Sequence, residues 1–211
     1  MRLCSIASGS SGNCIYVGSE ATHLLVDVGI SGKKAEAGLN SLGLTGRDLD
    51  GIQKMGNLGK IDPALFREVK EDVKLTIKDL TVNPMKISHD AAQPVGYRIA
   101  YGDKKVGICT DLGVYNDYTV ECLKGMDALL LEANHDVKML QVGPYPYYLK
   151  QRILGTQGHL SNEDSARFAV TLAQAGASEI VLSHLSRENN TPAMARFAVE
   201  TALSAAGLAP A

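Results

Sequence analysis

The segment "EIVLSHLSRENN", residues 179–190, is an apolar run that ends on a histidine and continues into polar residues. Residues 179–183 have the length and apolar content of a buried strand, which places His184 at the carboxyl end of that strand. Thr191 and Pro192 then fit an N-cap and a first helical residue, so a helix is expected after this loop. Loops beyond strand ends form the ligand crevice in layered α/β folds, and His184 is therefore a candidate functional residue.

Four more polar residues have the same kind of position. His89 follows "MKIS", Asp111 follows "VGICT", His135 follows "LLLEAN", and His159 comes just before a helix cap. Taken singly, a histidine at a strand end is more often a hydrogen-bonded turn residue than a ligand, and an aspartate before a turn is commonly a turn former. As a set, imidazoles and a carboxylate at separate strand ends are the ligand types that suit Zn or Mn.

The remaining pattern predicts an α/β fold. Short β-rich runs open the chain, and Ser31 is positioned to cap a helix that ends before Gly43. Gly102-Asp103 lies between two alternating runs and predicts a hairpin turn. Ser161 with Asp164 three residues later resembles a capping box, which predicts a helix that ends near Ala175.

Composition limits the classes of protein that fit. With 211 residues, 45% apolar residues and a formal net charge of −2, the chain is expected to form one domain over residues 1–211 without a global basic field. No apolar run approaches about 18 residues, so neither a membrane span nor a signal peptide is expected, and the predicted location is cytoplasmic. The four cysteines show no C-x-x-C pairing and are assigned no role.

One segment combines aromatic and basic residues, "GPYPYYLKQRI". Tyr145, Tyr147 and Tyr148 with Lys150 and Arg152 could stack nucleobases and contact phosphates. The alternative is a surface loop, with a short helix, whose tyrosines cover the core. The sequence leaves both interpretations open.

Seven stretches together resemble one family, the metallo-β-lactamase superfamily, and within it the bacterial YycJ/WalJ-type metallohydrolases. They are "SGSSGNCIYV", "LLVDVG", "ISHDAAQPVGY", "ICTDLG", "LLLEANHD", "GHLSNEDSA" and "VLSHLSRENN", in this order over nearly the whole chain. The resemblance implies an αββα sandwich with two divalent ions, Zn or Mn, at its edge. It also implies phosphodiester hydrolysis by a hydroxide that the ions activate, with DNA as the substrate and 5′-to-3′ exonuclease polarity.

The resemblance assigns roles to the strand-end residues. His89 and His184 would be metal ligands, and Asp111 would be the carboxylate that bridges the two ions. His159 would be catalytic, lying beside the metals to hold the scissile phosphate or to protonate the leaving group.

Three further residues are expected near the substrate. Asn134 and His135 match a family segment that contacts substrate or supports the ligands. Arg187, which follows His184 in the chain, is a candidate phosphate contact.

The chain departs from the family at its strongest signature. His-x-His-x-Asp-His should follow the strand near residues 49–52, yet no histidine lies between His23 and His89. Each metal position would then keep two protein ligands, whereas a catalytic zinc normally has about three plus water. Three explanations compete: a segment missing from the written sequence between residues 52 and 53, a deletion, or a natural metal-free relative. The first is favoured, because deleting a strand and its helix would expose apolar surface and a sheet edge.

Two other functions therefore stay open beside DNA hydrolysis. One is hydrolysis of a small phosphodiester or cyclic nucleotide, which the modest net charge fits better than it fits long-duplex binding. The other is a metal-free, non-catalytic binding domain, if the junction between residues 52 and 53 is genuine.

Overall fold

The computed structural model of the chain describes residues 1–9, 12–52 and 69–208. The junction between residues 52 and 53, on which the three explanations for the missing signature depend, lies outside the described residues. The described part forms two β-sheets that pack face to face, with helices on both outer faces.

The amino-terminal sheet has four strands in the order β1-β2-β3-β4. Its strands are β1 (Arg2–Ala7), β2 (Cys14–Gly18), β3 (His23–Val26) and β4 (Gly51–Ile52). The first three are antiparallel neighbours, and β4 joins β3 in parallel. Among the described residues, β4 is the outermost strand on this side, and it is the strand after which the family signature is expected.

The second sheet has six strands in the order β10-β9-β8-β7-β6-β5. They are β5 (Leu75–Ile77), β6 (Leu80–Lys86), β7 (Val95–Tyr101), β8 (Lys104–Cys109), β9 (Ala128–Glu132) and β10 (Glu179–Ser183). Strands β8, β9 and β10 are parallel, whereas β5 to β8 are antiparallel. Because parallel strands point the same way, the residues that follow β8, β9 and β10 emerge at one edge of the sheet.

Three apolar clusters form the layers. One lies between the sheets and joins residues of β2 and β3, such as Val17 and Leu24, to residues of β6 to β9, such as Ile99 and Ile108. A second packs the outer face of the six-stranded sheet against Phe168 and its helix neighbours, and a third packs the outer face of the four-stranded sheet against the first helix. The αββα sandwich predicted from the sequence is confirmed.

In the described part of the chain, six α-helices cover the sheets and connect the strands. They are α1 (Gly32–Ser41), α2 (Asp117–Leu123), α3 (Val137–Val142), α4 (Tyr147–Leu154), α5 (Asn162–Gln174) and α6 (Pro192–Ala205). Ser161 accepts a hydrogen bond from the backbone of Asp164 at the start of α5, and Thr191 does the same for Met194 at the start of α6. These predicted caps are confirmed, whereas Ser31 precedes α1 without a side-chain cap bond. Within the described residues, every helix is too short or too polar to cross a membrane.

Candidate metal centre

The carboxyl ends of three parallel strands and of β3 bring the candidate residues together. Asp111 follows β8, His184 follows β10, and Asp27 follows β3. All three have positive φ angles, of 57°, 56° and 53° respectively. Non-glycine residues rarely adopt this conformation, and where they do it often marks a functional site whose strain the surrounding structure supports.

Asp111 lies at the centre of three imidazoles. Its Oδ1 is 3.3 Å from Nε2 of His184, 3.9 Å from Nε2 of His89 and 3.9 Å from Nδ1 of His159. One ligand atom from each of Asp111, His159 and His184 falls within 4.8 Å of the others, which is close enough for the three to hold one metal ion. The structure thus brings together the four principal residues predicted from the sequence.

Each of the three imidazoles is oriented by an oxygen acceptor. The Nδ1 of His184 lies 3.0 Å from Oδ1 of Asn13, and the Nδ1 of His89 lies 3.2 Å from the carbonyl oxygen of Gly158. Donation from Nδ1 to these oxygens leaves Nε2, the nitrogen that faces Asp111, as the lone-pair donor. This arrangement is the one that orients histidine ligands around metals.

His159 is held differently. Its Nδ1, the nitrogen nearer to Asp111, lies 2.7 Å from Oε1 of Glu132. Burial acts to lower the pKa of His159, but the hydrogen bond and the charge of Glu132 outweigh it and raise the pKa above its ordinary value. The nitrogen that could reach a shared ion is therefore committed to Glu132, and the ring retains its proton to higher pH.

Glu132 is a functional residue that the sequence analysis did not assign. It is fully buried at the end of β9, and its Oε2 accepts a hydrogen bond of 2.6 Å from the backbone N–H of Leu112. Leu112 follows Asp111, so one carboxylate holds both the Asp111 turn and the His159 ring. A signal existed in the sequence, because a glutamate that ends the apolar run "ALLLE" must find partners when it is buried.

Asp27, the aspartate of the stretch "LLVDVG", has a more unusual environment than a simple turn former would have. Its Oδ2 accepts a hydrogen bond from Oγ1 of Thr110, 3.2 Å away, and the residue lines the same cavity as Asp111. Burial, and then the neighbouring charge of Asp111, raise the pKa of Asp27 to about 7. A carboxylate in this position would favour a cation nearby.

The glycine-rich turn after β1 positions Asn13, which supports two residues of the centre. Asn13 bonds to His184 and donates from Nδ2 to Oδ2 of Asp111 over 3.4 Å. A Cβ on Gly12 would lie 2.4 Å from the carbonyl oxygen of Gly29, so the backbones of two loops meet where only glycine fits. Residues 10 and 11 of "SGSSGN" lie outside the described residues.

A cavity of about 340 Å³ opens over this centre. Asn134 lines it and donates from Nδ2 to the carbonyl oxygen of His184 over 3.0 Å, as expected for a supporting residue. Arg187 is exposed and is not among the residues that line the cavity. Its predicted role as a phosphate contact stays a prediction.

His135 is fully buried and likewise does not line the cavity. Neither ring nitrogen has a hydrogen-bond partner, and burial, followed by the charge of His159, lowers the pKa of His135 to about 4. The ring is therefore neutral at physiological pH. Its position excludes direct contact with a substrate in the cavity, so of its two expected roles only support of neighbouring residues fits.

The donors fit one divalent ion better than two. The chain contains five histidines. One of them, His23, lies at the start of β3, at the opposite end of the strand from Asp27, and bonds to the hydroxyl of Tyr16 over 2.8 Å. With His135 buried away from the cavity, the centre has three imidazoles and the carboxylates of Asp27, Asp111 and Glu132. A carboxylate with two or three imidazoles suits one Zn or Mn ion, whereas two ions would need about twice that number of free ligands.

Comparison with known proteins identifies the class. Residues 51–185 match the family model described as a beta-lactamase superfamily domain. Exodeoxyribonuclease YycJ of Bacillus anthracis is 34% identical over 235 positions, covering 96% of this chain and 89% of the relative. Exodeoxyribonuclease WalJ of Streptococcus pneumoniae serotype 2 is 34% identical over 237 positions, covering 96% and 88%. The chain therefore belongs to the metallo-β-lactamase superfamily, and its resemblance to the YycJ/WalJ type is confirmed.

Solved structures agree on the fold. The metallo-β-lactamase-fold protein YhfI from Bacillus subtilis has a TM-score of 0.71 at 18% identity, with coverage of 95% of this chain and 92% of that protein. A diphosphatase from the PhnP family has a TM-score of 0.63 at 15% identity, with coverage of 90% and 88%. At these identities the likeness shows the fold alone.

The lengths of the alignments bear on the missing signature. An alignment of 235 positions is longer than the 211 residues of this chain, so some positions of the relative have no counterpart here. The expectation that the chain lacks a segment present in its relatives is consistent with this difference.

Proposed function

We propose that the protein is a metal-dependent phosphodiester hydrolase that acts on DNA, as a 5′-to-3′ exonuclease in the cytoplasm. The observation that carries the proposal is the convergence of Asp111 with the imidazoles of His89, His159 and His184 on one cavity, in a chain whose near full-length relatives are named exodeoxyribonucleases. Carboxylate and imidazole donors at this spacing are suited to a hydrolytic metal centre.

Asp111, His184 and His89 are the proposed ligands. The Nε2 atoms of both histidines face Asp111, and both Nδ1 atoms are held by oxygen acceptors, so the rings are oriented before a metal arrives. When bound, a Zn or Mn ion would act as a Lewis acid that lowers the pKa of water and neutralises charge at phosphorus. The family arrangement of two ions would require the ligands of the missing signature.

His159 is the proposed proton donor to the leaving oxygen. Its bond to Glu132 holds the ring in place and favours the protonated form, as a general acid requires. Asn134 supports the backbone of His184. His135 is a buried neutral ring whose pKa is lowered by burial and by the charge of His159. Arg187 is proposed to contact a phosphate of a strand that extends beyond the cavity.

Metal binding and hydrolysis together test the proposal. Asp111→Asn keeps the shape and the left-handed backbone that asparagine tolerates, and we expect it to weaken Zn or Mn binding by more than about 100-fold, with loss of hydrolysis. Isothermal titration calorimetry and release of nucleotides from a 5′-labelled duplex measure the two effects. Asp127→Asn, which removes an exposed carboxylate paired with Lys104, is the matched control.

The same experiment separates the alternatives. Turnover of a small aryl phosphodiester without turnover of DNA would indicate a small-molecule or cyclic-nucleotide phosphodiesterase. A wild-type protein that binds no metal and is indifferent to Asp111→Asn would be a non-catalytic binding domain, as expected if the junction between residues 52 and 53 is genuine.

A further inference from the structure

The short helix beside the cavity presents unusually exposed aromatic side chains. Tyr147 and Tyr148, the first residues of α4, are 77% and 74% exposed. Val142, at the end of α3, is 86% exposed. Among the described residues, these three and Phe197 are the most exposed large hydrophobic side chains. The interpretation that these two tyrosines cover the core is therefore wrong, and their exposure needs another explanation.

The segment is held in place although its side chains are exposed. Asp136 accepts a hydrogen bond from the backbone of Met139 at the start of α3. The Nζ of Lys150 donates to the carbonyl oxygen of Gln141 over 2.7 Å, which ties α4 to the end of α3. Ile153 is buried at the other end of α4. Residues 137–154 therefore form a rigid platform. A rigid surface loses little conformational entropy when a ligand binds.

The platform is continuous with the candidate metal centre. Tyr145, Leu149 and Arg152 line the same cavity as His89, Asp111, His159 and His184. Tyr147 and Tyr148 lie in the same short helix as Leu149 and Arg152. A polymer whose end occupies the cavity would therefore pass over this surface.

Charge on this segment differs from that of the whole chain. Residues 137–162 contain no aspartate or glutamate, but they contain Lys138, Lys150 and Arg152. The chain as a whole has a formal net charge of −2. Arg152 is paired with the carboxylate of Asp90 and Lys150 donates to Gln141, so the tyrosines lie in a segment with a small excess of positive charge. Such a segment suits a polyanion that carries aromatic bases.

We propose that Tyr147 and Tyr148, with the cations of residues 137–162, bind the unpaired part of a DNA strand whose end lies in the cavity. The inference rests on the proposed function and adds the form of the substrate. Exposed rings need unstacked base faces, and a duplex offers these only at its ends. A formal net charge of −2 also favours duplex binding less than a basic chain would, because duplex affinity depends on many phosphate contacts.

Binding without turnover tests the inference. Anisotropy of a fluorescein-labelled single-stranded oligonucleotide is measured in EDTA, so that no cleavage occurs. We expect Tyr147→Ala and Tyr148→Ala each to weaken binding by about tenfold, whereas Tyr147→Phe, which keeps the ring, stays within about twofold. Phe197→Ala is the matched control, because Phe197 is 72% exposed on α6 and is not among the residues that line the cavity.

The outcomes distinguish this inference from the proposed function. Unchanged binding by both alanine variants, or no binding of single strands by the wild type, overturns the inference even if DNA is hydrolysed. A wild-type dimer that the alanine substitutions dissociate, with DNA binding unchanged, assigns the surface to a second copy and also overturns it. Loss of binding by the alanine variants supports it, even if no phosphodiester is hydrolysed. Unchanged turnover of a small aryl phosphodiester by these variants would further show that the effect lies in strand binding.

Discussion

The two sheets contribute unequally to the candidate centre. The six-stranded sheet and its loops supply Asp111, Glu132, His159 and His184, each with a partner within the centre. The four-stranded sheet supplies Asp27 and the neighbouring Asn13, and the strand after which the family places its histidines, β4, has only two residues. The six-stranded side therefore supplies the proposed metal ligands. The four-stranded side supports them and adds the carboxylate of Asp27.

The carboxylates show the difference most clearly. Glu132 is buried against an imidazole and a backbone N–H. Asp27 is partly buried at the cavity near a second carboxylate and accepts a bond from a hydroxyl. The buried carboxylate of Glu132 is therefore compensated by hydrogen bonds, whereas burial and a neighbouring charge raise the pKa of Asp27. Three substitutions test this contrast.

The largest effect is expected from Asp27→Asn. Because the pKa of Asp27 is raised from 3.8 to about 7, the folded state binds the proton more tightly than the unfolded state. Its contribution to stability is complete below the unfolded pKa and is lost as pH rises toward 7. In EDTA at pH 8 the variant should be up to about 4 kcal/mol more stable than the wild type. Urea unfolding measures the difference at about pH 4.5, near the start of this transition, and at about pH 8, beyond its end.

Asp103→Asn controls for the change in charge, since Asp103 lies exposed in the hairpin turn between β7 and β8. A pH dependence that is the same in wild type and Asp27→Asn would mean that Asp27 is ionised without penalty in the fold, and the contrast between the two halves would disappear.

A smaller effect is expected from Glu132→Gln. The raised pKa of His159 means that its pairing with Glu132 stabilises the fold fully below about pH 6.5 and is lost as pH rises through the folded-state pKa. The variant should therefore lose about 2 kcal/mol at pH 6 and less at pH 9, because a neutral His159 no longer interacts with a charge. Unfolding in EDTA at both pH values measures this, with the exposed Glu121→Gln as the control. Equal losses at both pH values would contradict the pairing.

The smallest effect is expected from Asn13→Ala, which tests the supporting role of the four-stranded side. Without the acceptor for Nδ1, the His184 ring is less well oriented, and the affinity for Zn or Mn should fall by about tenfold. Calorimetric titration measures the affinity, and Asn40→Ala, an exposed asparagine of α1, is the control. An unchanged affinity would mean that the six-stranded side orients its ligands alone.

Local signals accounted for much of the fold. Thr191-Pro192, Ser161 with Asp164, and the hairpin at Gly102-Asp103 each predict a boundary that the structure has, because caps and turns depend on a few neighbouring residues. Junction position singled out His89, Asp111 and His184 after strands and His159 before a helix cap, and the family resemblance assigned their roles. Junction position also selected His135, which has the same place in the sequence but points into a buried position.

The partners of these residues could not be predicted in the same way. Asn13 meets His184 across 171 positions of the chain, and Asp27 meets Thr110 across 83. Such contacts depend on how the two sheets pack, and no local period or spacing encodes that packing. The exposure of Tyr147 and Tyr148 was undecided for the same reason, since an aromatic side chain in a loop can cover a core or face solvent.

By itself, the sequence determined the family, the αββα architecture and the residue types of the centre, because motif residues, caps and apolar periods are properties of short segments. It also determined that the chain has too few histidines for the complete family signature. Only the tertiary structure decided that Glu132 holds His159, that Asn13 and Asp27 complete the centre from the other sheet, and that His135 lies apart from it. The physical reason is that hydrogen bonds, burial and pKa shifts arise between residues that are distant in sequence and meet only when both sheets have packed.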